Sequence, residues 1–180
     1  MEQLIEKCKQ CDVKAQEALY RRLAPVLLGV CMKYCKNKAN AEDLFQESFI
    51  IIFNKIDQFK HTGSFEGWAK RITINTILSH FRKKTNTEPI NEEKIEIIED
   101  DDEFEHTNFS LDTLLALIHK LPNQYKLVFN MYVLDEYSHQ EIADALNISV
   151  NTSKSNLSRA RAILKKELEK LKQQKNMING

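Results

Sequence analysis

Several groups of residues in this chain have types and spacings that chemistry could use. Cys8 and Cys11 are followed by Cys31 and Cys35, and paired cysteines of this kind are what four convergent soft ligands for zinc would look like. The same i,i+3 and i,i+4 spacings are what a buried helical face produces, with reduced cysteines acting as small apolar residues. The second reading is preferred, so neither a metal nor another cofactor is expected. Asp100, Asp101 and Asp102 lie in a strongly acidic stretch and read as solvated charge. A different pattern runs from residue 149 onward. Ser153, Leu157, Ala160 and Leu164 make one helical stripe, and Asn151, Lys154, Ser155, Ser158, Arg159 and Arg161 lie opposite it. Asn and Arg can pair with base edges, whereas Lys and Ser more often hold phosphate. This face is the candidate for nucleic-acid chemistry.

That face needs a scaffold, and the preceding residues describe one. Ser138-His139-Gln140-Glu141 is a capping box that opens a short helix, Gln140 to Leu146. Asn147-Ile148 makes a tight turn, because Asn tolerates the left-handed conformation. Ser149 caps a long helix from Val150 to about Leu171. Small Ala143 lets the two helices approach, and Ile142, Leu146, Ile148 and Leu157 fill the wedge between them. The set reads as a helix-turn-helix, whose second helix aims its first residues at the major groove. Upstream, Ser110 precedes a helix over Leu111 to Lys120, and Pro122 takes the first position of the next.

The first half is helical as well. Asp12 caps a helix carrying Ala15, Ala18, Leu19, Leu23, Val26, Leu27 and Val30, which Pro25 should kink or split. Asn40 caps a second helix, Ala41 to about Asp57, with Glu42 and Asp43 near its positive end. His61 to Ser64 is a loop, and a third helix runs through Trp68, Ile72 and Leu78 to Arg82-Lys83-Lys84. The fold class is therefore all-α: two small helical domains, 1–84 and 110–180, joined by a flexible acidic linker, 85–109. Fully extended, that linker reaches about 80 Å, more than two turns of duplex at about 70 Å.

The formal net charge is zero, yet ten of the 26 Asp and Glu lie between Glu88 and Glu105, against Lys94 alone. Elsewhere 25 Lys and Arg face 16 Asp and Glu, so two basic bodies flank an acidic connector, a distribution suited to a polyanionic partner. No apolar run could span a bilayer and Met1-Glu2-Gln3 does not begin a signal peptide. A cytoplasmic location is expected. The glycines, Gly29, Gly63, Gly67 and Gly180, form no phosphate loop, and the five histidines fall in no metal or triad motif. An enzyme and a small-molecule substrate are not expected.

The second body resembles the carboxy-terminal domain of the extracytoplasmic-function (ECF) sigma factors. Leu121-Pro122, Phe129, Tyr137-Ser138, Glu141-Ile142-Ala143, Leu146, Ile148-Ser149-Val150, Thr152, Lys154-Ser155, Leu157 and Arg159-Ala160-Arg161 carry the similarity. It implies binding to the minus-thirty-five promoter element and adds Thr152 to the face above. Ala41 to Phe49 resembles the segment that docks on the β′ coiled coil of core RNA polymerase, with Asp43, Leu44, Gln46 and Glu47 as contact residues. Asp43, Gln46, Glu47 and Ile50 share a helical face. Trp68, Ile72, Asn75 and Arg82 resemble the helix that opens the minus-ten element. The resemblance implies that Lys70, Arg71, Asn75, Arg82 and Lys83 line the strand's path and that the loop with His61, Thr62 and Ser64 holds an extruded base. It also implies the polymerase β flap and an anti-sigma factor as partners. The chain departs from the family pattern at Ser79, Glu136, Asn147, Asn151, Ser153 (commonly Val) and Asn156 (commonly Arg). Losing a basic residue at Asn156 is expected to alter a DNA contact. The alternative is a conventional helix-turn-helix regulator that binds duplex DNA without polymerase.

Overall fold

A computed structural model describes the backbone of residues 1–85 and 109–178 and the side chains of 1–82 and 109–174. The acidic linker predicted over 85–109 lies almost wholly outside the described residues, as do Asp100 to Asp102 and the side chain of Lys83. The chain divides into two compact units, Met1–Glu88 and Pro89–Gly180, and the described residues contain helices and no strand.

The first unit is built from α1 (Glu2–Lys9), α2 (Val13–Tyr34), α3 (Lys38–Lys55) and α4 (Phe65–Thr85), with a 3-10 turn, Ile56–Gln58, after α3. Asp12 caps α2 by accepting from the Ala15 amide at 2.9 Å. Leu19, Leu23, Leu27 and Tyr34 then bury one face of α2 against α3 and α4, which contribute Leu44, Phe45, Ile52, Ile77 and Leu78. Two buried hydroxyls are satisfied locally: Ser48 Oγ donates to the Leu44 carbonyl at 2.6 Å and Thr73 Oγ1 to the Ala69 carbonyl at 3.0 Å.

One expectation is narrowed and another needs correction. Pro25 does not split α2, which runs unbroken from Val13 to Tyr34. Pro25 is exposed, so water can reach the carbonyl that its ring leaves without an amide, while the apolar stripe behind it holds the helix together. The cap of α3 is Asn37, whose Oδ1 accepts from the Ala39 amide at 2.8 Å; Asn40 lies inside the helix. Asn is only a few tenths of a kcal/mol worse than average there, and Lys38 pairs with Glu42 across that turn at 3.6 Å.

The cysteines do not form a ligand set. Cys8, Cys31 and Cys35 are buried and Cys11 is exposed, and among the described residues no group of three or more His, Cys, Asp or Glu is placed to hold a metal ion. Burial, with Cys35 adding to it, pushes the Cys31 thiol up to about 12. A raised folded-state pKa means this contribution to stability is complete below the ordinary value of 9.0 and is lost as pH climbs toward about 12. At pH 8, iodoacetamide should therefore alkylate Cys11 readily and leave Cys31 unmodified until denaturant is added. Modification of Cys31 in the native protein, read by peptide mass mapping, would contradict this packing.

The second unit comprises α5 (Leu111–Ile118), α6 (Asn123–Phe129) continued by a π-helical stretch (Asn130–Leu134), α7 (His139–Leu146) and α8 (Val150–Ile178). Ser110 caps α5. Pro122 is the cap residue of α6, one position earlier than expected, with extended ψ of 144°. Leu117, Leu121, Tyr125, Val128 and Met131 pack with Ile142, Leu157, Ala160 and Leu164 as the core. Helix α8 runs past the expected end near Leu171 to Ile178. No described helix is long and apolar enough to cross a membrane.

Candidate nucleic-acid and partner surfaces

The helix-turn-helix is assembled from local hydrogen bonds. Ser138 Oγ accepts from the Glu141 amide at 3.2 Å, and the Glu141 carboxylate accepts from the Ser138 amide at 3.0 Å, closing the capping box. At the far end of α7, Asn147 is left-handed (φ 55°, ψ 49°), and the Ile148 amide returns to the Ala143 carbonyl at 3.0 Å. Ser149 opens α8 by accepting from the Thr152 amide at 2.9 Å. With Ile142, Ala143, Leu157 and Ala160 all buried, the two helices meet closely. Removing the box with Ser138→Ala should cost about 1 kcal/mol of stability, measured as a lower urea midpoint; an unchanged midpoint would mean the cap contributes nothing.

The inner stripe of α8, Ser153, Leu157, Ala160 and Leu164, is buried as expected. On the outer side Asn151, Thr152 and Lys154 are exposed and Ser155, Ser158, Arg159 and Arg161 half-buried. The Arg159 Nε is buried without a hydrogen-bond partner among the described residues. Asn156 corrects the sequence reading: it is 3% exposed and faces the core, so it is not a lost phosphate contact. Its spacing, three after Ser153 and four before Ala160, already placed it on the inner side.

On α3, Asp43, Gln46 and Glu47 are exposed in a row with Ile50, an apolar side chain 62% exposed. Leu44 is only 2% exposed. It anchors the helix to the core and offers no surface, which corrects its place among the contact residues. Because α3 begins at Lys38, Asp43 and Glu47 stand beyond its first turn, where helix-dipole effects have largely decayed.

The third surface is the 61–64 loop with α4. His61 is left-handed at φ 56° and Gly63 has φ 110°, a value that an L side chain resists. Ser64 caps α4 by accepting from the Gly67 amide at 3.0 Å. Beneath the loop, Phe59 and Phe65 meet edge to face at 5.1 Å, and Trp68 packs on both, at 5.6 and 5.2 Å. Phe59 and Phe65 are buried and make, with Trp68, an aromatic floor beside the loop, whose His61, Thr62 and Ser64 are all exposed. His61 rests on Phe59 at 4.7 Å, and its Nε2 lies 3.7 Å from Glu6 of α1. Along α4, Arg71, Asn75 and Arg82 are exposed and fall within about 40° of one another at 3.6 residues per turn. Lys70 lies about 100° around the helix from Arg71 and pairs with Glu66 at 2.8 Å. The sequence reading missed the His61–Glu6 contact, which joins residues far apart in the chain.

Comparison with known proteins assigns the chain to a class. The Sigma-70 region 2 family model matches residues 19–87, and the Sigma-70, region 4 model matches residues 111–164. Two such regions in this order define an RNA polymerase sigma factor, which directs promoter recognition and transcription initiation. The ECF RNA polymerase sigma factor SigW of Bacillus subtilis (strain 168) is 30% identical, covering 95% of this chain and 100% of that protein. The ECF RNA polymerase sigma-E factor of Haemophilus influenzae is 26% identical over 93% of this chain and 95% of its own length. Among solved structures, the sigma factor RpoE of Bartonella quintana, in complex with the anti-sigma factor NepR, has the same fold. Its TM-score is 0.57 at 20% identity, covering 87% of this chain and 98% of that one. The chain belongs to the ECF RNA polymerase sigma factors. A region 2 match in the amino-terminal half, where a conventional regulator would carry a sensor module, overturns that alternative.

Proposed function

We propose that this sigma factor docks on the β′ coiled coil of core polymerase through Asp43, Gln46 and Glu47, with Ile50 as the apolar part of the same contact. The residues 61, 62 and 64 hold an extruded base of the minus-ten element on the aromatic floor. Arg71, Asn75 and Arg82, with Lys70 and Lys83, follow the melted strand. The second unit reads the minus-thirty-five element with Asn151, Thr152, Lys154, Ser155, Ser158, Arg159 and Arg161, and the β flap is its polymerase partner. The protein makes no bond change itself and acts in the cytoplasm. An anti-sigma factor as a further partner is supported by the RpoE–NepR complex.

The observation that carries this reading is the separation of roles on each helix. The polar residues of α3, α4 and α8 named above whose side chains are described face outward or sit at the rim, while the residues packing behind them are buried. Run-off transcription of fragmented genomic DNA by core polymerase, with and without the protein, tests it directly. New start sites sharing two upstream elements are expected. No new start sites, with duplex binding by the protein alone, would overturn the polymerase-dependent reading.

A further inference from the structure

A polar side-chain contact joins the two helices of the helix-turn-helix. Ser153 lies in the first turns of α8, between Thr152 and Lys154, but faces inward and is completely buried. Its Oγ is 2.9 Å from Nδ1 of His139, the first residue of α7, fourteen positions earlier. The pair is satisfied with either imidazole tautomer, since a hydroxyl donates to a bare nitrogen and accepts from a protonated one. The His139 ring is held from a second direction by Tyr132 of the π-helical stretch, stacked at 4.4 Å and 21°. Its backbone is set by the adjoining capping box.

Ile142 and Ala143 of α7 and Leu157 and Ala160 of α8 are buried and supply apolar packing where the two helices meet. Apolar contacts fix how closely helices approach but are non-directional, so small rotations and slides of α8 change them little. A hydrogen bond weakens steeply when its angle or length departs from the optimum. We propose that His139 and Ser153 are positioning residues for upstream-element recognition: their bond, braced by Tyr132, sets the rotation and height of the first turn of α8. Neither touches DNA. They act through Asn151, Thr152, Lys154 and Ser155, which that turn presents. The proposal rests on α8 being the reader of the minus-thirty-five element.

Thr and Val have nearly the same shape and differ by the hydroxyl, so Ser153→Thr and Ser153→Val add similar bulk and separate the bond from the packing. The full-length chain, with core polymerase, is assayed on a promoter library randomised over the upstream element, and RNA from each member is counted. Ser153→Val and His139→Phe should each lower the preference for the best element over its single mismatches by about tenfold, the scale of one lost hydrogen-bonded constraint. Ser153→Thr should stay within about twofold of the parent. The Ser153→Val, His139→Phe double variant should be no worse than either single one. A purely structural role predicts instead an equal loss on every promoter, with the ranking of elements kept. Matching profiles for the Thr and Val variants, or an unchanged profile for His139→Phe, overturns the positioning role while leaving α8 as the reader. No upstream preference in the parent protein overturns both.

Discussion

Reversing Asp43 and Glu47 together to Lys should abolish sigma-dependent transcription and lower affinity for core polymerase by at least about a hundredfold. Both side chains are exposed, and surface substitutions of this kind usually change stability by less than about 0.5 kcal/mol. In the proposed complex they would face basic groups, and placing like charges opposite one another costs several kcal/mol, with each 1.4 kcal/mol worth about tenfold. Ile50→Ala should weaken binding with little effect on folding, because 62% of its surface is already exposed in the free chain. The measurement is an anisotropy titration of labelled protein with core polymerase, alongside circular dichroism to establish that the fold is intact. Unchanged affinity in the double reversal would remove α3 from the polymerase interface.

On the recognition helix, the expected effects differ in kind. Arg159→Ala should lower use of the best promoters by roughly tenfold to a hundredfold, because a good bidentate base contact is worth about 1–3 kcal/mol. The loss should be concentrated at one base-pair position, where the variant becomes indifferent to sequence. Lys154→Ala should weaken all promoters alike and reduce the slope of log affinity against log salt by about 1. Promoter-library transcription and salt-dependent binding of the sigma–core complex read the two effects separately. If Arg159→Ala shifts every promoter equally, Arg159 is a phosphate contact and base reading lies with Asn151 or Arg161.

Features that rest on neighbouring residues could be read without coordinates. The Asp12, Ser110, Ser138 and Ser149 caps bond to amides three residues on, and Asn147 bends the chain within its own turn. The stripe of Ser153, Leu157, Ala160 and Leu164 repeats every three or four residues, so its burial follows from helical geometry. Periodicity finds the centre of a buried face but not its edges. Leu44 sits in the acidic segment of α3 yet belongs to the core, and Asn156 replaces a common Arg yet turns inward. Each depends on how far the neighbouring helices wrap around.

Motif order and composition therefore determined the all-helical class, the helix-turn-helix and the membership in a sigma family, because caps, turns and helical periods are set by interactions within about five residues. Only the tertiary structure decided that α2 passes through Pro25, that an aromatic floor supports the 61–64 loop with Glu6 of α1 beside it, and that His139 grips Ser153. The Glu6 and Ser153 contacts join residues far apart along the chain, and they exist only once helix packing has brought the elements face to face.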